Sequence, residues 1–172
     1  MIMADFNFVT NSTHFQCTRC TRCCSLDVML SDEEMARLGD NADRKWRTTK
    51  KVMDSSNLIC SLLQGKSCKI YESRPKLCRV YPFLAINKAD LVSFGIKVPD
   101  AAICLVGEDN EKYYIIYDEA CPGVGKGGAS NWPEIIALSI SHFRDFKQIK
   151  QGFYPELQFP ITLLFRLNTN RL

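Results

Sequence analysis

The sequence predicts an α+β fold: one compact domain spanning residues 1–172, with a small antiparallel sheet, flanking helices and a cysteine-rich metal site. Three observations predict it. From Val80 to Asp118, short apolar runs alternate with turn residues, the pattern of paired strands. The stretches around Met35 and after Trp132 instead space their apolar residues like helices. Eight of the nine cysteines, finally, are candidates for a shared metal site. A chain of 172 residues can bury a core without disulfide staples. Its 46% hydrophobic and 24% charged content, with nine Gly and seven Pro, excludes disordered and collagen-like classes.

The first informative stretch is "CTRCTRCC", Cys17 to Cys24. It is followed by "SDEEMARLG", where Ser31 and Glu34 make a capping box and Gly39 a stop, so a short helix is expected at about 32–38. The polar segment that follows carries five basic residues between Arg44 and Lys51. Little aromatic interleaving accompanies them. A solvated face is expected there rather than a nucleic-acid patch, and the net charge of +3 adds no argument for nucleic acid.

"VYPFLAI" and "LVSFGIKV" flank "NKAD", which predicts a hairpin. "AAICLVG", "EDNE" and "KYYIIYD" predict a second one, with Cys104 as a buried strand cysteine. Trp132, Ile135, Ile136, Ser139, Ile140, Phe143, Phe146 and Ile149 share one helical face. That helix is expected to start at an N-cap of Ser130 or Asn131, hold Pro133 in its first turn, and run to about Lys150 with Gly152 ending it. His142 falls near the apolar face, where packing is its expected role, and His14 is expected to be unligated.

The sequence opens without a basic region and apolar run of the secretory kind, and no apolar run reaches the length of a membrane span. The expected setting is the cytoplasm, with no membrane partner, where stable disulfides are uncommon. Nine cysteines also cannot all pair within one chain.

Metal ligation explains the cysteines better. The spacing Cys17-x2-Cys20-x2-Cys23 lets thiolates point into one concave turn, with backbone N–H groups facing the sulfurs. A thioredoxin-type site would need a βαβ unit nearby, and none is visible. Cys24 beside Cys23 fits one mononuclear site poorly and suggests a second centre. Cys60, Cys68, Cys78 and Cys121 bring the candidate ligands to eight, enough for two four-cysteine sites or one larger cluster. Cys121-Pro122 matches the Cys-Pro that ends ferredoxin cysteine runs, and the glycines after it permit close backbone approach. These features favour one or two iron–sulfur clusters, of 4Fe-4S type, slightly over zinc, which also takes four thiolates.

Cys17, Cys20, Cys23 and Cys24, then Cys60, then "CKIYESRPKLCRVYPF" with Cys68, Ile70, Tyr71, Arg74, Pro75, Cys78, Arg79, Tyr81, Pro82 and Phe83 resemble the CxxCxxCC (YkgJ-type) family. The resemblance runs from Cys17 to about Gly127, and Thr21 departs from it where members often carry Gly. It implies a zinc- or iron-chelating domain. Relatives such as the flagellin lysine methylases imply S-adenosylmethionine (SAM) and protein methylation, although the C-x3-C-x2-C run of radical-SAM proteins is absent. Whether the chain is an enzyme stays open.

Arg74 and Arg79 flank Cys78 and are candidates to offset the charge of an anionic cluster. "GVGKGG" lacks the spacing of a phosphate loop. Gly123, Gly125 and Lys126 remain candidates to hold an anion or SAM. The expected function is redox or electron transfer, or cluster-dependent enzyme chemistry, with a redox or protein-substrate partner. The alternative is a structural or regulatory zinc protein acting through a macromolecular partner.

Overall fold

The computed structural model describes residues 6–55, 57–93, 95–128 and 132–153. In chain order the first elements are β1 (Phe6–Phe8), α1 (Asp32–Leu38), β2 (Ala42–Asp43), β3 (Thr48–Thr49), β4 (Lys51–Asp54) and β5 (Asn57–Cys60). Then come β6 (Leu63–Gln64), β7 (Ser67–Cys68), α2 (Lys76–Val80), β8 (Phe83–Asn87), α3 (Lys88–Ser93), β9 (Cys104–Val106), β10 (Lys112–Asp118) and α4 (Trp132–Phe153).

An antiparallel sheet organises the core. β10 pairs with β8 along one side, and with β1 and β9 at opposite ends of its other side. All five residues of β8 are buried, which fits its unbroken apolar sequence "FLAI". Side chains alternate across a strand, so the two faces feed two clusters. Leu84, Ile86 and Ile116 face a layer built from Leu26, Leu30 and Leu77, where the cysteines collect. Phe83, Ala85, Tyr113 and Ile115 face Phe143 and the apolar stripe of α4. The sheet therefore lies between the long helix and the cysteine-rich layer. This is the expected α+β architecture, with small two-stranded ribbons added by β2–β3, β4–β5 and β6–β7.

The capping box at Ser31 and Glu34 starts α1 as expected, and Gly39 stops it at φ 52°. The second expected hairpin is present as β9–β10. The first is not. "NKAD" opens α3 instead of a turn: Asn87 Oδ1 accepts the Asp90 N–H at 2.8 Å, and Leu91 is fully buried. Asparagine serves a turn and a helix N-cap by the same side-chain bond, and the buried leucine decided between them. Cys104 lies on β9 but is exposed rather than buried. Ile103 and Leu105 turn to the core from this edge strand, so the alternation sends Cys104 and Val106 outward.

On α4, Trp132, Ile135, Ile136, Ile140 and Phe143 join the core cluster, and Ser139 and Phe146 are also buried. The Ile149 side chain and the N-cap at Ser130 or Asn131 lie outside the described residues. The helix passes through Gly152 to Phe153, so Gly152 does not end it. Among the described residues, no helix is long and apolar enough to cross a membrane.

Candidate metal centre

The cysteine loop is shaped by two non-glycine residues in the left-handed region, Arg19 at φ 52° and Thr21 at φ 64°. Such residues are uncommon, and they fold the chain around Cys20. Thr21 thus adopts the conformation that glycine would favour. Its hydroxyl donates to the Cys20 carbonyl at 2.6 Å, and its own carbonyl accepts the Cys24 N–H at 2.8 Å. Cys23 and Cys24 then sit in a 3-10 turn, Arg22–Ser25, which packs on β5. Cys60 ends β5, Cys68 ends β7, and Cys78 lies within α2.

These elements enclose a cavity of about 280 Å³ lined by Cys17, Cys23, Cys24, Cys60, Cys68 and Cys78. Val28, Leu62 and Ile70 complete its apolar wall. Thr49 also lines it, and the Thr49 hydroxyl is buried without a hydrogen-bond partner. Arg74 stacks over Tyr71 with its guanidinium carbon 3.6 Å from the ring centroid, and Arg19 approaches the same ring at 4.8 Å. Both arginines line the cavity.

Cys20 and Cys121 do not line this cavity, and Cys121 arrives by another route. The loop from Cys121 to Lys126 is stitched to the segment before Cys17. Gln16 donates its N–H to the Gly123 carbonyl at 3.0 Å, Gly125 donates to the His14 carbonyl at 2.9 Å, and Phe15 bridges Val124. A Cβ on Gly123 would sit 2.5 Å from the Gln16 carbonyl oxygen, so only glycine allows this approach. Cys121 is buried, with the Gly123 backbone N–H acting to stabilise its thiolate form. Lys126 is exposed on this loop, as is His14 beside it. Arg79 pairs with Glu134 of α4 at 3.3 Å.

All nine cysteines are free thiols. The neighbouring Cys24 thiol lifts the Cys23 thiol far above its ordinary range, with burial adding to it. The Cys23 thiol in turn holds Cys24 below that range. Burial pushes Cys78 well up, the neighbouring thiols reinforce it, and Arg74 opposes it. Burial also raises Cys121, against the Gly123 N–H. Without a cation, Cys23, Cys78 and Cys121 resist losing their protons. A bound cation reverses that preference and releases them.

Lys51 had no special place in the sequence reading, where it belonged to a solvated basic run. Its ammonium instead donates to the carbonyls of Cys24, at 3.0 Å, and Leu26. Burial lowers its pKa, opposed by the nearby Asp27 carboxylate and by the Cys60, Cys78 and Cys24 thiols. The signal in the sequence was indirect: Lys51 stands opposite Cys60 only once β4 and β5 pair. Tyr81, matched to the family signature, donates to Asp118 at 2.6 Å, and Asp118 also faces Arg22 at 3.6 Å.

Among the described residues, no three Cys, His, Asp or Glu side chains are already drawn in to hold an ion. The donor set nevertheless fits a thiophilic group. Six soft candidate ligands line one cavity, with the guanidinium groups of Arg19 and Arg74 beside them. The fold and this site define a cysteine-rich chelating domain. Residues 16–122 match the CxxCxxCC family model, described as "Putative zinc- or iron-chelating domain", and the chain belongs to that family. Comparison with curated proteins and with solved structures gave no match.

Proposed function

We propose that the chain is an iron–sulfur protein, with a cluster of 4Fe-4S type in the six-cysteine cavity. It serves redox or electron transfer, or cluster-dependent enzyme chemistry, with a redox or protein-substrate partner in a reducing compartment such as the cytoplasm. The observation that carries this reading is the cavity of about 280 Å³ between the thiols. A zinc ion held at about 2.3 Å by four thiolates fills the space between its own ligands. A cluster adds inorganic sulfide, which takes up volume and accepts hydrogen bonds that tune the potential. Arg74 and Lys51 supply positive charge beside an anionic group.

The test is iron, acid-labile sulfide and zinc content in protein purified without oxygen, with its absorption spectrum. Iron and sulfide in comparable amounts are expected. Stoichiometric zinc without sulfide overturns the reading in favour of a structural or regulatory zinc protein. SAM-linked protein methylation is the enzyme form of the proposal, with Lys126 as a candidate contact. A change in the reduced cluster's EPR spectrum on adding SAM supports that form, and an unchanged spectrum favours simple electron transfer.

A further inference from the structure

The mouth of the cysteine cavity gathers positive charge from three separate pieces of chain. Arg19 comes from the cysteine loop, Lys66 from the turn between β6 and β7, and Arg74 from the segment just before α2. The backbone holds the first two in place. Arg19 sits at φ 52°, a region that side chains other than glycine seldom enter. Gln64 pairs with Ser67, so two residues join β6 to β7. Gly65 at φ 59° opens that tight turn and leaves Lys66 at its tip. Arg19 and Lys66 are exposed, and Arg74 is half-buried. Both guanidinium groups crowd the Tyr71 ring. Arg74 donates Nε to the Tyr71 carbonyl at 2.6 Å, which leaves its two terminal nitrogens for another acceptor. Among the described residues, none of these three cations makes an ion pair, whereas Arg22 nearby is held by Asp118. Glu72, also exposed, is the one carboxylate on the lining among the described residues.

We infer that this mouth docks an acidic face of a partner protein, whose aspartate or glutamate side chains meet Arg19, Lys66 and Arg74 over the cavity. Charge complementarity carries the argument. Three cations gathered at one mouth repel one another, and a facing set of carboxylates removes that repulsion and steers the encounter. The terminal nitrogens of an arginine fork match the two oxygens of a carboxylate. Tyr71 backs the fork, and tyrosine with arginine is the composition enriched at protein interfaces. Carboxylates suit this mouth better than a nucleic-acid backbone does. The patch is compact, and Glu72 stands within it, where a continuous row of phosphates would meet its charge. The inference deepens the proposed function, on whose premise of a protein partner it rests, by giving that partner a surface chemistry. It does not depend on whether the thiols below hold a cluster or zinc.

The test uses the full-length chain, purified without oxygen and with its metal content measured. The probe is a fluorescent, N-acetylated poly-glutamate peptide followed by anisotropy. Saturable binding that weakens as salt rises is expected. The Arg19→Asn/Lys66→Gln variant keeps a residue that tolerates the left-handed region and is expected to bind roughly three- to tenfold more weakly. The Lys97→Gln/Lys112→Gln variant loses the same charge from exposed positions outside the cavity lining and is expected to bind like the parent. Carbodiimide coupling of the peptide to the parent chain, mapped by mass spectrometry, is expected to favour Lys66 over Lys97 and Lys112. Absence of binding, equal weakening in both variants, or links spread evenly over the three lysines overturns the inference. Competition by a thymidine oligonucleotide of equal charge, as effective as unlabelled peptide, overturns it in favour of nucleic acid. If the circular dichroism of the first variant departs from that of the parent, the link pattern of the parent chain decides. Zinc without sulfide would sink the iron–sulfur reading and leave this one standing, whereas iron and sulfide in a chain that ignores the peptide would do the reverse.

Discussion

Lys51 shows how one side chain ties a metal site to its backbone. Its ammonium holds two carbonyls of the cysteine turn and places a positive charge beside candidate ligand thiols, which would become anionic on binding metal. Such supporting groups typically change metal affinity by about 10–100-fold when removed. Lys51→Met is therefore expected to weaken metal retention by roughly that factor. Competition with a chelator measures it, and retention equal to the parent chain would assign Lys51 to packing alone. Neither Lys51 nor Thr49 was legible in the sequence. Both lie in a polar stretch whose short strands bury Thr48 and Thr49 only after they pair. The clustering of the cysteines was legible because their spacing is short and regular, and six of the eight candidates line one cavity.

Among the elements, α1 and α2 share a single carboxylate. The sequence reads Glu34 as the second half of a capping box, and its Oε2 does accept the Ser31 N–H at 3.0 Å. Its Oε1 accepts the N–H of Lys76, the first residue of α2, at 2.7 Å. One buried side chain therefore starts two helices, one of which carries Cys78. Hydrogen bonds to a charged group contribute about 1.5–3 kcal/mol each, so Glu34→Ala is expected to cost about 3 kcal/mol or more. Urea unfolding measures the loss, and a cost below about 1 kcal/mol would mean that water replaces the carboxylate. Local signals revealed α1, the β9–β10 hairpin and most of α4. The pieces that failed, α3 and the burial of Cys104, were settled by which neighbour covered them. That information belongs to the assembled sheet rather than to any window of sequence.

At the scale of the whole molecule, the packing of α4 against the sheet and α2 traps a neutral histidine. His142 is 3% exposed, and its Nε2 is buried without a partner. Burial lowers its pKa from 6.5 to about 4, while Asp145 raises it and Lys76 lowers it further. The unfolded chain therefore takes up this proton first as the pH falls. The associated stability is complete above pH 6.5 and is lost as the pH drops toward about 4. At 1.36 kcal/mol per unit the loss approaches about 3 kcal/mol. Urea titrations of the reduced, metal-free chain between pH 7 and pH 4 should show it, and His142→Phe should flatten the difference. An equally steep profile in that variant would assign the acid sensitivity to carboxylates. The stitch between the segments 14–16 and 121–125 has a consequence of another kind, in time. On the ribosome the thiols that line the cavity are all present once Cys78 has emerged, but Cys121 follows by roughly 2–9 s at about 5–20 residues per second. During that interval the segment 14–16 lacks its hydrogen-bonding partner, so the nascent chain can order the cavity before the stitch closes.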